Sequence, residues 1–424
     1  TVNPAAVVQF SSPNQTICSG SQSSAINLSS TTSGVNISWT CNPPAGITGA
    51  ITSGTNSIPI QILINSTNAA LIVEYVVTAT TTGSASCAGS SSTYSITVNP
   101  IPNVTATPNS QTICSNTATN ILLNSTVSGT IFNWTVNSNP NITGASNSSG
   151  NAITQTLVNT SNTIQVVTYT ITPSYSNNGI TCQGSPINIS VTVNPDPLIT
   201  NTPLTQTICS AASTTAVTLN SNVTGTTFAW TASAPLGVTG FTNTGTNTIP
   251  SQTITNTNTI AGVVTYVITP TANACSGTPV NYSITVNPKP SVTNNPLLQT
   301  TCSGSSTTLV TLTSNVSGAT FTWTASGSPG LTGFIPSGNN TIPVQTISNP
   351  TTSPGTVTYV ITPSINGCPG DLVNYIITVN PAPPVLFSSP DQTICSGSQT
   401  SVVNLSSPTT GATISWTCNP PAGI

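Results

Sequence analysis

Ionisable side chains are almost absent from this 424-residue chain: charged residues make up 1%, against about 25% in an ordinary soluble domain. There is no histidine, arginine or methionine, and the fixed charges are Glu74, Asp196, Lys289, Asp371 and Asp391. General acid–base catalysis needs a positioned group that titrates near working pH, and a Ser-His-Asp arrangement cannot be built without histidine. The carboxylates are scattered singly, which leaves no pair for glycoside hydrolysis. Calcium sites draw several carboxylates, and zinc would need an all-cysteine set, so no catalytic residue, metal or cofactor is expected. One lysine gives no footprint for phosphate, which argues against nucleic acid as a partner. The most apolar stretch, Ala69 to Val77, is interrupted by Glu74 and is far short of a membrane span. No signal peptide is visible at Thr1-Val2-Asn3-Pro4. With 36% hydrophobic residues and a net charge of −3, the chain has the means to fold around cores, and its surface must be Ser, Thr and Asn.

What is present is a repeat. Val-Asn-Pro recurs with prolines at Pro4, Pro100, Pro195, Pro288 and Pro381, a period of about 95 residues. Gln-Thr-Ile-Cys or Gln-Thr-Thr-Cys returns ending at Cys18, Cys114, Cys209, Cys302 and Cys395. A tryptophan follows each at a nearly constant interval, at Trp39, Trp134, Trp230, Trp323 and Trp416. The expected division is 1–4 as the tail of a preceding repeat, then repeats at 5–100, 101–195, 196–288 and 289–381, and a partial fifth at 382–424. Trp39 to Ile47 returns unchanged as Trp416 to Ile424, a second and longer period that suggests a window onto a longer array.

Within each repeat the hydrophobic period is 2, the mark of strands with one buried face. Ile26 and Leu28, Ile37 and Trp39, the strand around Tyr75, and Tyr94, Ile96 and Val98 all alternate this way, and β-branched residues dominate. Short strands broken by Gly, Asn, Ser and Pro over about 95 residues predict an all-β chain of immunoglobulin-like antiparallel β-sandwiches. The proline-containing linkers, such as Asn287-Pro288-Lys289-Pro290, are too short for flexible tethers. The repeats are therefore expected to meet end to end as a rod, on the order of 150 Å long for four and a half compact domains. The tryptophans all take the same inward position and are expected in the cores.

Each complete repeat has one cysteine before its second strand and one ahead of its last. The pairs are Cys18 with Cys87, Cys114 with Cys182, Cys209 with Cys275 and Cys302 with Cys368, each separated by roughly 67 residues. Their recurrence without metal-ligand partners points to disulfides inside each repeat and an oxidising, extracellular compartment, with reduced thiols the alternative. Cys41 and Cys418 lie two residues past a tryptophan, where Val136, Ala232 and Ala325 stand elsewhere. They read as small buried side chains, with intermolecular cross-linking the other reading. Cys395 would find its partner beyond Ile424.

The stretches Gln15 to Gly20, Phe321 to Thr324 and Asn366 to Cys368 resemble the PKD-like, immunoglobulin-like repeats of large surface proteins from Bacteroidota, over the whole chain. Such proteins include gliding-motility adhesins exported by type IX secretion, so the resemblance implies a cell-surface adhesin or its stalk. The Trp-Asp-Phe-Gly-Asp-Gly stretch of ordinary PKD domains is replaced here by Trp-Thr and then Val, Ala or Cys. Immunoglobulin domains place the second cysteine two residues after a tyrosine, whereas Cys87 lies well beyond Tyr75 and Cys275 well beyond Tyr266. The bridge is thus expected at one pole, tying a loop to the start of its own repeat.

Tyr175 is the tyrosine that falls off the recurring strand positions, and it reads either as a half-buried loop side chain or as part of a sugar site. Sequons such as Asn27, Asn65, Asn141, Asn222 and Asn315 are expected by chance in so Asn-rich a chain. The expected role is a non-enzymatic spacer that projects a binding region lying outside this segment toward a surface ligand, a polysaccharide or another cell. The alternative is a subunit of an extracellular filament formed by lateral self-association, and a carbohydrate-binding array is a third class.

Overall fold

A computed structural model describes residues 5–83, 86–137, 139–389 and 391–420. The expected tail of a preceding repeat, residues 1–4, and the last four residues lie outside the described residues. The architecture is all-β, and the described residues contain no helix. Two compact units are formed. One is Thr1–Leu198 with Asn222–Thr226 and Thr271–Gly277; the other is Ile199–Ser221, Thr227–Pro270 and Thr278–Ile424.

Each of the four complete repeats is built on the same main sheet. A cysteine strand (Gln15–Cys18, Ser110–Cys114, Thr205–Cys209, Leu298–Cys302) lies at one edge. It pairs with the closing strand (Ser92–Asn99, Ile187–Asn194, Val280–Asn287, Val373–Asn380). Next come the tyrosine strand (Leu71–Thr81, Gln165–Asn177, Gly262–Ala272, Gly355–Ile365) and the tryptophan strand (Val35–Cys41, Ile131–Val136, Thr227–Ser233, Thr320–Gly327). A short strand such as Ser53–Thr55 completes the order. Against this sheet packs a smaller one, in the first repeat Val8–Phe10, Ile26–Ser30 and Ser57–Ile58. Pairing is antiparallel except between the cysteine and closing strands, which run parallel in all four repeats.

Alternation along the strands puts one face of each sheet inside, and each complete repeat has its own core. At the centre, the Trp39 and Tyr75 rings meet edge to face with centroids 5.4 Å apart, and Trp230 with Tyr266 and Trp323 with Tyr359 do the same. In the first, third and fourth repeats a glycine stands opposite the indole, whereas in the second Ser148 stands opposite Trp134. A Cβ on Gly54 would collide with the Trp39 ring, as would one on Gly245 with Trp230 and one on Gly338 with Trp323.

The polar groups that enter these cores are satisfied in the same way each time, as low-dielectric burial demands. The hydroxyls of Tyr75, Tyr169, Tyr266 and Tyr359 are hydrogen-bonded to the amides of Gln61, Gln155, Gln252 and Gln345. Asn65, Asn159, Asn256 and Asn349 each donate to the carbonyl of the closing-strand valine, Val98, Val193, Val286 and Val379. Asn65 also donates to Ala69 O, so this sequon asparagine is a structural amide with both N–H groups engaged.

Burial pushes Tyr75 and Tyr169 up to about 12 and raises Tyr266, Tyr282, Tyr359 and Tyr375 as well. At Tyr75 the neighbouring Cys41 adds to the rise and the Gln61 hydrogen bond opposes it. A raised tyrosine stays neutral when folded while the unfolded chain ionises from about pH 10, so above that pH unfolding releases protons. The tyrosine contribution to stability is therefore fully present below about pH 10 and is lost as pH rises through about 12. Denaturation followed by tryptophan fluorescence should show a midpoint that is nearly constant through acid and neutral pH. It should then fall between about pH 10 and 12, tracking tyrosinate absorbance.

Candidate functional site at the repeat junctions

The cysteines do not pair within repeats. Cys18 is bonded to Cys182, Cys114 to Cys275 and Cys209 to Cys368, with Cα atoms 5.5, 5.6 and 5.4 Å apart and sequence separations of 164, 161 and 159 residues. The expected pairs Cys18–Cys87, Cys114–Cys182, Cys209–Cys275 and Cys302–Cys368 are thereby overturned. Each bridge joins the first cysteine of one repeat to the second cysteine of the next.

The reason lies in the parallel cysteine strand. Because it runs alongside the closing strand, Cys18 comes to rest opposite Asn99, at the end where the chain leaves the repeat. Cys87 follows the far end of the tyrosine strand, which runs past the pair Val77–Ser92 to Thr81 at the opposite end of the sheet. A closing strand of eight residues at about 3.3 Å each holds those ends roughly 25 Å apart. A disulfide needs Cα atoms within about 7 Å, so the two cysteines of one repeat cannot meet.

The second cysteine is delivered by a hairpin that continues the tyrosine strand. Its tip is a two-residue turn, Asn178-Gly179, Asn273-Ala274 or Asn366-Gly367, with both residues at positive φ. Such turns match the twist of the flanking strands and favour Asn-Gly. Cys182 lies opposite Tyr175, Cys275 opposite Ala272 and Cys368 opposite Ile365. Tyr175 is thus a half-buried arm of this hairpin.

The repeat marker now has a local purpose. The Asn of Val-Asn-Pro ends the closing strand, and its carbonyl accepts the N–H just after each first cysteine: Ser19 to Asn99, Ser115 to Asn194, Ser210 to Asn287 and Ser303 to Asn380. Its side chain reaches the hairpin of the next repeat. Asn99 donates to Asn177 O at 3.3 Å while Asn177 donates back to Asn99 Oδ1 at 2.9 Å, and Asn194 donates to Asn273 O at 3.0 Å. Asn99 and Asn194 are themselves buried, and their partners Asn177 and Asn273 lie nearer the surface, so these amide bonds are partly shielded from competing water. Further contacts are Thr126 to Asn68 and Asn222 to Asn162, again uncharged. The Gln of the cysteine motif anchors the strand from behind: Gln15 donates to the Tyr94 hydroxyl and accepts from Ser24 N. On the chain-entropy account a loop of roughly 160 residues closed by such a bridge contributes about 5 kcal/mol.

Other expectations are met differently along the chain. Trp39, Trp134, Trp230 and Trp323 are buried, whereas Trp416 is 75% exposed. Among the described residues around it, the strands are Leu386–Phe387 and Leu405–Ser406, paired with each other. Cys41 is buried beside Tyr75, and burial raises its thiol; Cys418 is exposed. Cys87 and Cys302, expected to be bridged, carry free exposed thiols, as does Cys395. Lys289 forms an exposed ion pair with Asp371, a contact that sequence reading missed because 82 residues separate the two. Among the described residues no cluster of three His, Cys, Asp or Glu side chains could hold a metal ion, and no helix is long and apolar enough to cross a membrane.

Repeated sandwiches of this kind, stapled in series, define a tandem-domain protein. The sequence matches the family described as PKD-like domain at residues 15–102, 111–197, 206–290 and 299–383, and the chain belongs to that family. No curated protein matches it. Among solved structures it is similar to protocadherin gammaB7 EC3-6, at 14% identity over 89% of this chain and 100% of that one, with a TM-score of 0.27. It is also similar to Sidekick-1 immunoglobulin domains 1-4, at 14% identity over 88% and 99% of the two chains, TM-score 0.24. The insect immune protein hemolin aligns at 12% identity over 89% and 100%, TM-score 0.24.

A thiol-labelling experiment checks the pairing. Alkylation of the native, unreduced protein should modify Cys87, Cys302, Cys395 and Cys418 readily and Cys41 only after denaturation. Protection of Cys87 and Cys302 would speak for bridges inside repeats.

Proposed function

We propose that this segment is the stalk of a secreted bacterial cell-surface adhesin, a spacer without catalytic chemistry that holds a binding region away from the cell. The carrying observation is that four separately cored sandwiches are joined across their junctions by disulfides and buried asparagine contacts, where a flexible tether would leave them independent. Disulfides at the junctions suit an oxidising compartment, hence an extracellular location at the cell surface. Export by type IX secretion and service in gliding motility or attachment follow from the resemblance to Bacteroidota surface repeats. The ligand, a polysaccharide or another cell, is bound by regions outside this segment.

A second reading, lateral packing into an extracellular filament, is favoured by the surface itself. With charged residues at 1%, neighbouring chains meet little electrostatic repulsion at any ionic strength. Negative-stain electron microscopy separates the two readings. Single beaded rods on the order of 150 Å are expected for a stalk, and ordered bundles would favour the filament. Strong binding on a glycan array would overturn both in favour of a carbohydrate-binding array.

A further inference from the structure

We infer that two covalent rails bypass most of the sandwiches, and that the one through Cys18, Cys182, Cys209 and Cys368 carries tension between its ends, so that unfolding a repeat does not lengthen the Cys18–Cys368 interval. The intervals from each second cysteine to the next first cysteine, Cys87 to Cys114, Cys182 to Cys209, Cys275 to Cys302 and Cys368 to Cys395, are identical in length. Each is about 27 residues, or roughly 90 Å when fully extended. The remainder of the repeat, from first to second cysteine, varies: it is longest from Cys18 to Cys87 and shortest from Cys209 to Cys275 and from Cys302 to Cys368. Length is therefore fixed in one part of the repeat and free in the other, and the disulfides decide which part is loaded.

One rail runs from Cys18 across its disulfide to Cys182, along the closing strand Ile187–Asn194 and the cysteine strand Thr205–Cys209, and across the next disulfide to Cys368. The other runs from Cys87 along Ser92–Asn99 and Ser110–Cys114, across to Cys275, and along Val280–Asn287 and Leu298–Cys302. The rails share no residue. In the second repeat the closing strand of one is hydrogen-bonded to the cysteine strand of the other, parallel, from Ser110↔Ser190 to Cys114↔Asn194. In the third the roles exchange, from Thr205↔Ser283 to Cys209↔Asn287. Two covalent strands lie side by side and are zipped once per repeat. Much of each stretch between second and next first cysteine is already in extended strands, so it has little slack.

The consequence is large. A fully extended residue spans about 3.4 Å, so the roughly 350 residues from Cys18 to Cys368 would stretch to about 1,200 Å when reduced. With the disulfides intact, the shortest covalent path between the same residues is about 27 residues and two bridges, or about 100 Å. Pairing inside repeats would instead load three such stretches in series, about 81 residues, and set a limit of about 300 Å.

The test is single-molecule stretching of the whole 424-residue chain held by its two termini, unreduced and then in a phosphine reductant. The tails outside Cys18 and Cys368 contribute equally to both states. The Cys18–Cys368 interval should stop at about 100 Å unreduced and lengthen roughly 12-fold on reduction. Cys114→Ser, which cuts only the second rail, should leave the unreduced limit in place. Cys209→Ser should raise it to about 550 Å, because the path then detours through roughly 160 residues and the Cys114–Cys275 bridge. These limits are covalent, so once the bridges have formed they hold whether or not the sandwiches unfold under load, and peptide mapping of the unreduced variant confirms which bridges it carries. An unreduced limit of about 300 Å, the value for bridges inside repeats, would overturn the proposal. So would a limit unchanged by Cys209→Ser, or stepwise lengthening equal to that of the reduced chain.

Discussion

The parallel pairing of the cysteine strand with the closing strand is the constraint from which the rest of the molecule follows. Had that edge strand run antiparallel, both cysteines of a repeat would have finished at the same end of the sheet, and each sandwich would have closed on itself. Running parallel, it carries Cys18 to the exit end beside Asn99, while the hairpin cysteine stays at the other end. Neither cysteine then has a partner at home; Cys18, Cys114 and Cys209 meet Cys182, Cys275 and Cys368 of the following repeat, while Cys87 and Cys302 stay free. The staple between repeats is thus a consequence of strand direction.

This arrangement also gives a physical reason for the sparse charge. Junctions made by amides, hydroxyls and disulfides do not depend on screening or on the protonation of carboxylates, and the exposed Lys289–Asp371 pair adds little to them. The groups whose ionisation does matter are the buried tyrosines, and they titrate far into the alkaline range. A structure held this way keeps its joints over a wide range of salt and acid, conditions that an extracellular spacer would meet.

Much of the fold was legible in the sequence because period-2 alternation reports directly on which side chains face a core. The second-strand pair Ile26 and Leu28, the inward Trp39 and the strand around Tyr75 all stand where alternation puts them, and one core per repeat follows. Alternation says nothing about strand direction, and the disulfide partners depend on it: the regular interval from Cys18 to Cys87 and its counterparts reads as a bond in sequence and is in the fold the span between two ends. Alternation likewise does not report which strands cover a residue, and Trp416, at the same inward position of the period, is exposed. A signal was available for the junction. The invariant interval from Cys87 to Cys114 and its counterparts, set against a variable repeat length, marks the segment whose geometry is fixed between neighbours.

Mass-spectrometric mapping of the unreduced protein tests the central claim most directly, with pepsin as the protease because a single lysine leaves trypsin almost nothing to cut. The account requires cross-linked peptides joining Cys18 to Cys182, Cys114 to Cys275 and Cys209 to Cys368. Recovery of Cys18 linked to Cys87, or Cys114 linked to Cys182, would contradict it.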